Sequence, residues 1–147
     1  MTFNNKIFIL AIILIFTFSV ICFISIDKKY ILSIDGRVIE SIVVDNYESR
    51  ARGLSGLESL PDDTVMLFVF DTADKYGIWM KEMKFAIDIV WLDETGRVVW
   101  LESSVSPDTY PKVFFPPEKS LYTVEAKPGF IEQNHLAVGK VLSVIEK

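Results

Sequence analysis

The sequence predicts a mainly β domain, a compact β-sandwich or barrel-like fold with one or two short helices, preceded by one transmembrane helix. Three observations predict it. Residues 7–26 form a run of twenty with no charge, Pro or Gly. Beyond it, short alternating runs recur between turn residues such as Asp35-Gly36 and Asp93-Glu94-Thr95-Gly96. Stretches with helical periodicity are few and short.

Residues 1–6 read as a polar tail carrying Lys6, residues 7–26 as the span and residues 27–147 as one domain. Twenty residues at about 1.5 Å rise cover about 30 Å, one hydrocarbon thickness. A cleaved signal peptide needs small residues at two positions before the cut, and residues 19–26 offer no such pair, so an uncleaved anchor is expected. Cys22 follows Ile21, where a lipidated Cys wants a small residue, so Cys22 reads as an apolar residue of the span. Lys28 and Lys29 beyond the span outnumber Lys6 before it, which leans towards a cytoplasmic domain. A short tail before a single span is, however, the layout of an export signal-anchor. The reading adopted is a membrane-anchored domain outside the cytoplasm, in the cell envelope.

Within the domain, residues 30–34 alternate, Asp35-Gly36 turns, and residues 37–44 alternate again, which predicts a hairpin. Asn46 can cap a short helix through Glu48, Arg50 and Arg52, ending near Gly53 or Gly56. Residues 61–63 form a loop, and residues 65–70 read as a fully buried strand. A polar connection over residues 71–76 leads to a strand over 77–81. Strands over 85–92 and 97–101 flank the Asp93–Gly96 loop. The proline-rich stretch 103–119 is expected to be a long ordered loop. Residues 121–126 make a strand, Pro128-Gly129 opens a short turn or helix through Asn134, and residues 140–145 close the domain as a strand. There is no repeat and no sign of a second domain.

Composition removes several function classes. The chain carries −5, and residues 27–147, which leave out Lys6, carry −6. Nucleic acid and anionic lipid surfaces are therefore poor partners. Cys22 is the sole cysteine and His135 the sole histidine, so neither an intrachain disulfide nor a zinc site built of Cys and His clusters can form. A Ser-His-Asp triad would depend on one unsupported histidine. No metal and no cofactor is expected; the acidic pair Asp62-Asp63 lacks enough oxygen ligands nearby for calcium.

Asp88 is the most informative residue. It interrupts the apolar run Phe85-Ala86-Ile87-Asp88-Ile89-Val90-Trp91-Leu92, on the face of Ala86, Val90 and Leu92. A carboxylate there is costly unless a cation or several donors meet it. A nearby basic partner is expected, with Lys81, Lys84, Arg50 and Arg52 as the candidates. The bland reading is a structural ion pair. Trp79 and Met80 lie on opposite faces of their strand, so one belongs to the core and the other can line a groove. Glu125 ends another apolar strand and can join the Asp88 network. Three Trp in a β domain suggest a sugar-stacking platform, but each lies in a strand that needs apolar packing.

Arg52-Gly53-Leu54, Pro61, Met66-Leu67-Phe68 with Phe70, Trp79-Met80-Lys81, Asp88-Ile89, Gly96 with Val98-Val99, Glu125, Pro128-Gly129 and Gly139 occur together and in order. In this combination the chain resembles the bacterial and archaeal family known as domain of unknown function 192, over roughly residues 37–145. The chain departs from the family pattern at Ser55, at Glu82-Met83 and at Ala86. The resemblance implies a small, mainly β domain, often exported or anchored, with no settled reaction.

Three functions follow. The first is a membrane-anchored, non-enzymatic binding or accessory domain with a small-molecule or protein ligand. Its groove would be built from Arg52, Trp79 or Met80, Lys81 and Asp88. The second is a hydrolase or lyase using Asp88 and Glu125 as acid and base, with Lys81 or Arg52 stabilising charge. The third is a purely structural domain.

Overall fold

The structure, a computed structural model, describes residues 30–147, so the expected tail and membrane span lie outside the described residues. Nine strands and two short helices follow in order. They are β1 (Tyr30–Ile34), β2 (Arg37–Val44), α1 (Tyr47–Arg52), β3 (Thr64–Asp74), β4 (Ile78–Trp79), β5 (Ile87–Leu92), β6 (Val98–Val105), β7 (Val113–Phe114), β8 (Ser120–Ala126), α2 (Phe130–Gln133) and β9 (Ser143–Glu146). Seven strands form one mixed sheet in the order β6-β5-β8-β3-β2-β1-β9, and β4 pairs with β7 as a separate flap. Among the described residues no helix is long and apolar enough to cross a membrane.

Local chemistry explains the first half. Asp35 and Gly36 both take positive φ, as a tight hairpin between β1 and β2 requires. Asn46 accepts from Ser49 N–H at 2.9 Å, and the Ser49 hydroxyl is in turn placed to accept from the Asn46 backbone, closing a capping box. Gly53 ends α1 at φ 50, with the Phe68 ring 3.3 Å from where a Cβ would stand. A glycine is needed there for both reasons. The connection from β2 through α1 to β3 is a crossover, and β2 pairs with β3 in parallel. Every other pairing between strands is antiparallel.

β5 is buried at all six positions, so both of its faces meet packed side chains. Alternation divides the core accordingly. Val65, Leu67, Val69, Val90, Leu92, Val124 and Ala126 join Leu32, Ile34 and Leu142 on one face. Met66, Phe68, Ile87, Ile89 and Trp91 lie on the other, beneath Leu54, Leu60, Ile78, Met80 and Phe114. The first cluster joins residues of β1 and β6, which sit towards opposite edges, so the sheet must curl around it. The edges meet where Arg97 bridges Val141 and Val98 N–H donates to the Lys140 carbonyl at 2.8 Å. Phe130 and Ile131 of α2 pack against this interior cluster.

Several expected boundaries move. The strand expected over 77–81 shrinks to Ile78–Trp79, β3 runs on to Asp74, and β9 starts only at Ser143. The stretch expected as a loop over 103–119 contains the end of β6, a 3-10 turn at Pro107–Thr109 and β7.

Candidate functional site

Asp88 is 1% exposed and faces the interior of the curled sheet. Ser104 N–H donates to its Oδ1 at 2.8 Å, and Ile131 N–H donates to its Oδ2 at 3.0 Å. The β5–β6 register slips between Ile87 and Ile89, because Val105 and Glu102 are their partners and β6 carries an extra residue. Ser104 sits in that bulge at φ 51. Asp88 thus ties the bulge of β6 and the first turn of α2 to β5.

The expected basic partner is corrected: no ion pair to Asp88 exists among the described residues. Arg50 pairs with Asp71, Arg52 with Glu48 and Lys84 with Glu58. Lys81 places its ammonium 5.8 Å from the centre of the Trp79 ring. Two main-chain donors do for Asp88 what a cation was expected to do.

The opposite face carries a groove of about 400 Å³. Its walls come from α1 and the following turn, from Phe68 and Phe70 of β3, and from Tyr76, Trp79 and Met83 around β4. Phe70 and Tyr76 stack face to face at 3.5 Å, and the Arg50 guanidinium lies 5.3 Å from the Phe70 ring centre. Arg50 is fixed by its bonds to the Asp45 and Val69 carbonyls at 2.6 and 2.8 Å. Arg52 and Ser55 complete the α1 side, and the Ser55 hydroxyl donates to the Lys81 carbonyl at 2.8 Å.

Glu125 of β8 forms part of this groove and is only 5% exposed. Its register partners are Met66 on β3 and Ile89 on β5, neither of which offers a polar group. Among the described residues nothing hydrogen-bonds or pairs with the carboxyl, and burial pushes its pKa up to about 8. Two residues back on the same face, Thr123 Oγ1 is also buried without a partner. The groove is thus an apolar, aromatic cleft with one unpartnered acid in its lining.

The structure brings Arg52, Trp79 and Glu125 to the groove. Trp79 is 48% exposed, whereas Met80 is buried in the core beneath and does not line the groove. Lys81 stands outside, over Trp79. Asp88 does not reach the groove at all. Asp88 pairs in register with Ala126 and Ile89 with Glu125, so the two carboxylates point to opposite faces of the sheet. An acid/base pair of Asp88 and Glu125 is therefore ruled out by geometry. The three Trp form no shared platform, since Trp91 is fully buried and donates its Nε1–H to the Tyr76 carbonyl at 2.9 Å. Among the described residues no group of three or more His, Cys, Asp or Glu is placed to hold a metal ion.

Sequence reasoning missed Arg50, Phe70 and Tyr76 as groove residues. Phe70 was legible only as the end of an apolar strand. The signal that singled out Asp88, a carboxylate within an apolar strand, applies equally to Glu125.

Residues 30–144 match the sequence profile of the family DUF192, described as Uncharacterized ACR. No curated protein matches the chain. A protein of Sinorhizobium meliloti 1021, described as a candidate transcription regulator, has a similar solved structure, with TM-score 0.71 and 18% identity over 80% of this chain and 92% of that one. A protein of unknown function from Novosphingobium aromaticivorans DSM 12444 is similar at TM-score 0.69 and 18% identity, over 78% of this chain and 82% of that one. At such identity the likeness shows the fold alone.

Proposed function

The chain belongs to the DUF192 family, and from that premise we propose that its domain is a binding module, held at the membrane by residues 7–26, whose groove takes a small ligand. One observation carries the reading: Glu125, nearly fully buried and without a partner among the described residues, lines an aromatic cleft. An unpartnered buried acid costs stability. Such a group is retained where a ligand supplies what the chain does not. A volume of about 400 Å³ lies within the range of ordinary small-molecule pockets. The chemistry supports binding rather than acid/base hydrolysis by a carboxylate pair, because among the described residues Glu125 is the one carboxylate in the groove lining and the Ser55 hydroxyl is engaged with the Lys81 carbonyl.

Ligand-observed NMR of the full chain against a set of aromatic and polar fragments tests this. Ala51 is exposed on α1 and lines the groove, so Ala51→Trp fills the mouth without touching the core. Fragments should bind the wild type and weaken about tenfold in Ala51→Trp, as expected when a filled pocket excludes them. Fragments that bind both proteins equally would place binding elsewhere and remove the reading. The anchored, extracytoplasmic placement has its own test. Protease added to intact spheroplasts should remove the domain, and full protection would reverse the orientation.

A further inference from the structure

We infer that the ligand of this groove carries a primary ammonium on an apolar body, with its N–H donors meeting the Glu125 carboxylate. This rests on the binding reading above. Five features favour a cation over a neutral hydroxyl or amide. An ionised carboxylate offers several acceptor sites, and nothing among the described residues occupies them. An ammonium brings three donors and the compensating charge together; an alcohol brings one donor and none. The two cations in the groove lining are engaged elsewhere, Arg50 on two carbonyls and Asp71, and Arg52 on Glu48. Cationic side chains also show what the aromatic walls attract, since Arg50 lies over Phe70 and Lys81 over Trp79. The domain's net charge of −6 draws cations towards it.

The ionisable groups facing Glu125 across the groove are Arg50 and Arg52 of α1 and the phenols of Tyr47 and Tyr76. Met66 and Ile89 beside it carry none. With the acid held up near 8 by burial, the free groove is mostly protonated at neutral pH. Binding of R–NH3+ then converts Glu–COOH to Glu–COO−, and one proton leaves to solvent. Affinity should rise about tenfold per pH unit below about 8 and level off above it, until the amine itself loses its proton near 10.

The experiment is isothermal titration calorimetry of the full chain with three probes: phenethylammonium, Nα-acetyl-lysine methylamide and neutral 2-phenylethanol. Titrations in two buffers of different ionisation enthalpy count the protons released. Phenethylammonium should bind at least about tenfold tighter than 2-phenylethanol and release close to one proton at pH 7. Glu125→Gln, which keeps the shape of the protonated acid, should abolish both the preference and the proton release. Either ammonium probe supports the shared chemistry, and the tighter of the two tells a free amine from a lysine side chain. Equal or tighter binding of 2-phenylethanol, or an ammonium affinity unchanged in Glu125→Gln, would overturn the ammonium inference and leave the groove standing. Failure of all three probes, together with a blank fragment screen, would remove the groove reading as well.

Discussion

Asp88 and Glu125 sit on adjacent strands, and the pleat sends one to a pair of main-chain donors and the other to an apolar cleft. Their substitutions should therefore differ. Asp88→Ala leaves the Ser104 and Ile131 N–H groups buried without an acceptor and should cost about 2–4 kcal/mol. Asp88→Asn is not mild, because its amide nitrogen would face one of the two donors; a loss of about 1–3 kcal/mol is expected by urea denaturation. Adding Lys81→Met or Arg52→Met should recover nothing, with a coupling under about 0.5 kcal/mol. Recovery above that would mean that a cation does reach Asp88. Glu125 behaves oppositely. Burial raises its pKa from 4.5 to about 8, so between those values the folded state binds more protons than the unfolded chain. Stability should fall as pH rises through that window, by at most about 5 kcal/mol. Glu125→Gln should lack this slope, match the wild type near pH 4 and exceed it above pH 8. Parallel stability curves for the two proteins would show the acid already ionised and paired. Both carboxylates were legible in the sequence as polar intrusions in apolar strands. The Asp88 donors were not, because backbone N–H groups 16 and 43 residues away carry no side-chain signature.

The turn between β5 and β6 shows how elements are held by contacts that local sequence does not announce. Gly96 is at φ 79, and a Cβ there would stand 2.0 Å from the Leu142 carbonyl oxygen. Leu142 N–H donates to the Gly96 carbonyl at 2.9 Å, and Gly139 N–H to the Val98 carbonyl at 2.8 Å. The segment before β9 therefore lies flat on this turn and brings the two edges of the sheet together. Gly96→Ala combines backbone strain with a main-chain clash and should cost about 2–5 kcal/mol in chemical denaturation. A cost under about 1 kcal/mol would mean that the turn is not clamped. Elements with local causes were readable: the Asp35-Gly36 turn, the Asn46 cap and the buried run of β3. The parallel pairing of β2 with β3 and the two-residue β7 were not. Neither contains a local preference strong enough to announce it; the crossover through α1 and the packing of Phe114 in the cluster of Trp91 exist only once the sheet is formed.

At the scale of the molecule, the question is whether residues 30–147 hold everything the fold needs. Both faces of the central strands are closed by residues of the same segment: Leu32, Leu136 and Leu142 on the inner side, Leu54, Leu60 and Met80 on the outer. The edges β6 and β9 are drawn together through Arg97 and Val141, which leaves less open strand for another chain to pair with. Val38 and Ile42 of β2 and Ile145 of β9 are among the exposed apolar side chains, with Phe115, Val138 and Val141, that a neighbour would cover if the fold required one. Isolated surface residues of this kind are common on stable monomers. A fragment of residues 27–147 should therefore express as a monomer and melt in one cooperative transition, with circular dichroism and tryptophan fluorescence reporting the same midpoint. Sedimentation should give a single species with the mass of one chain. If the fragment aggregates, or its two midpoints separate, the run over residues 7–26 or a partner belongs to the fold. Replacing Val38 and Ile145 by Thr then discriminates the causes. Restored solubility with an unchanged midpoint would locate a self-association surface on β2 and β9, because those side chains contribute little to a core they do not enter. Continued loss of cooperativity would instead mean that the two clusters are incomplete without the missing segment.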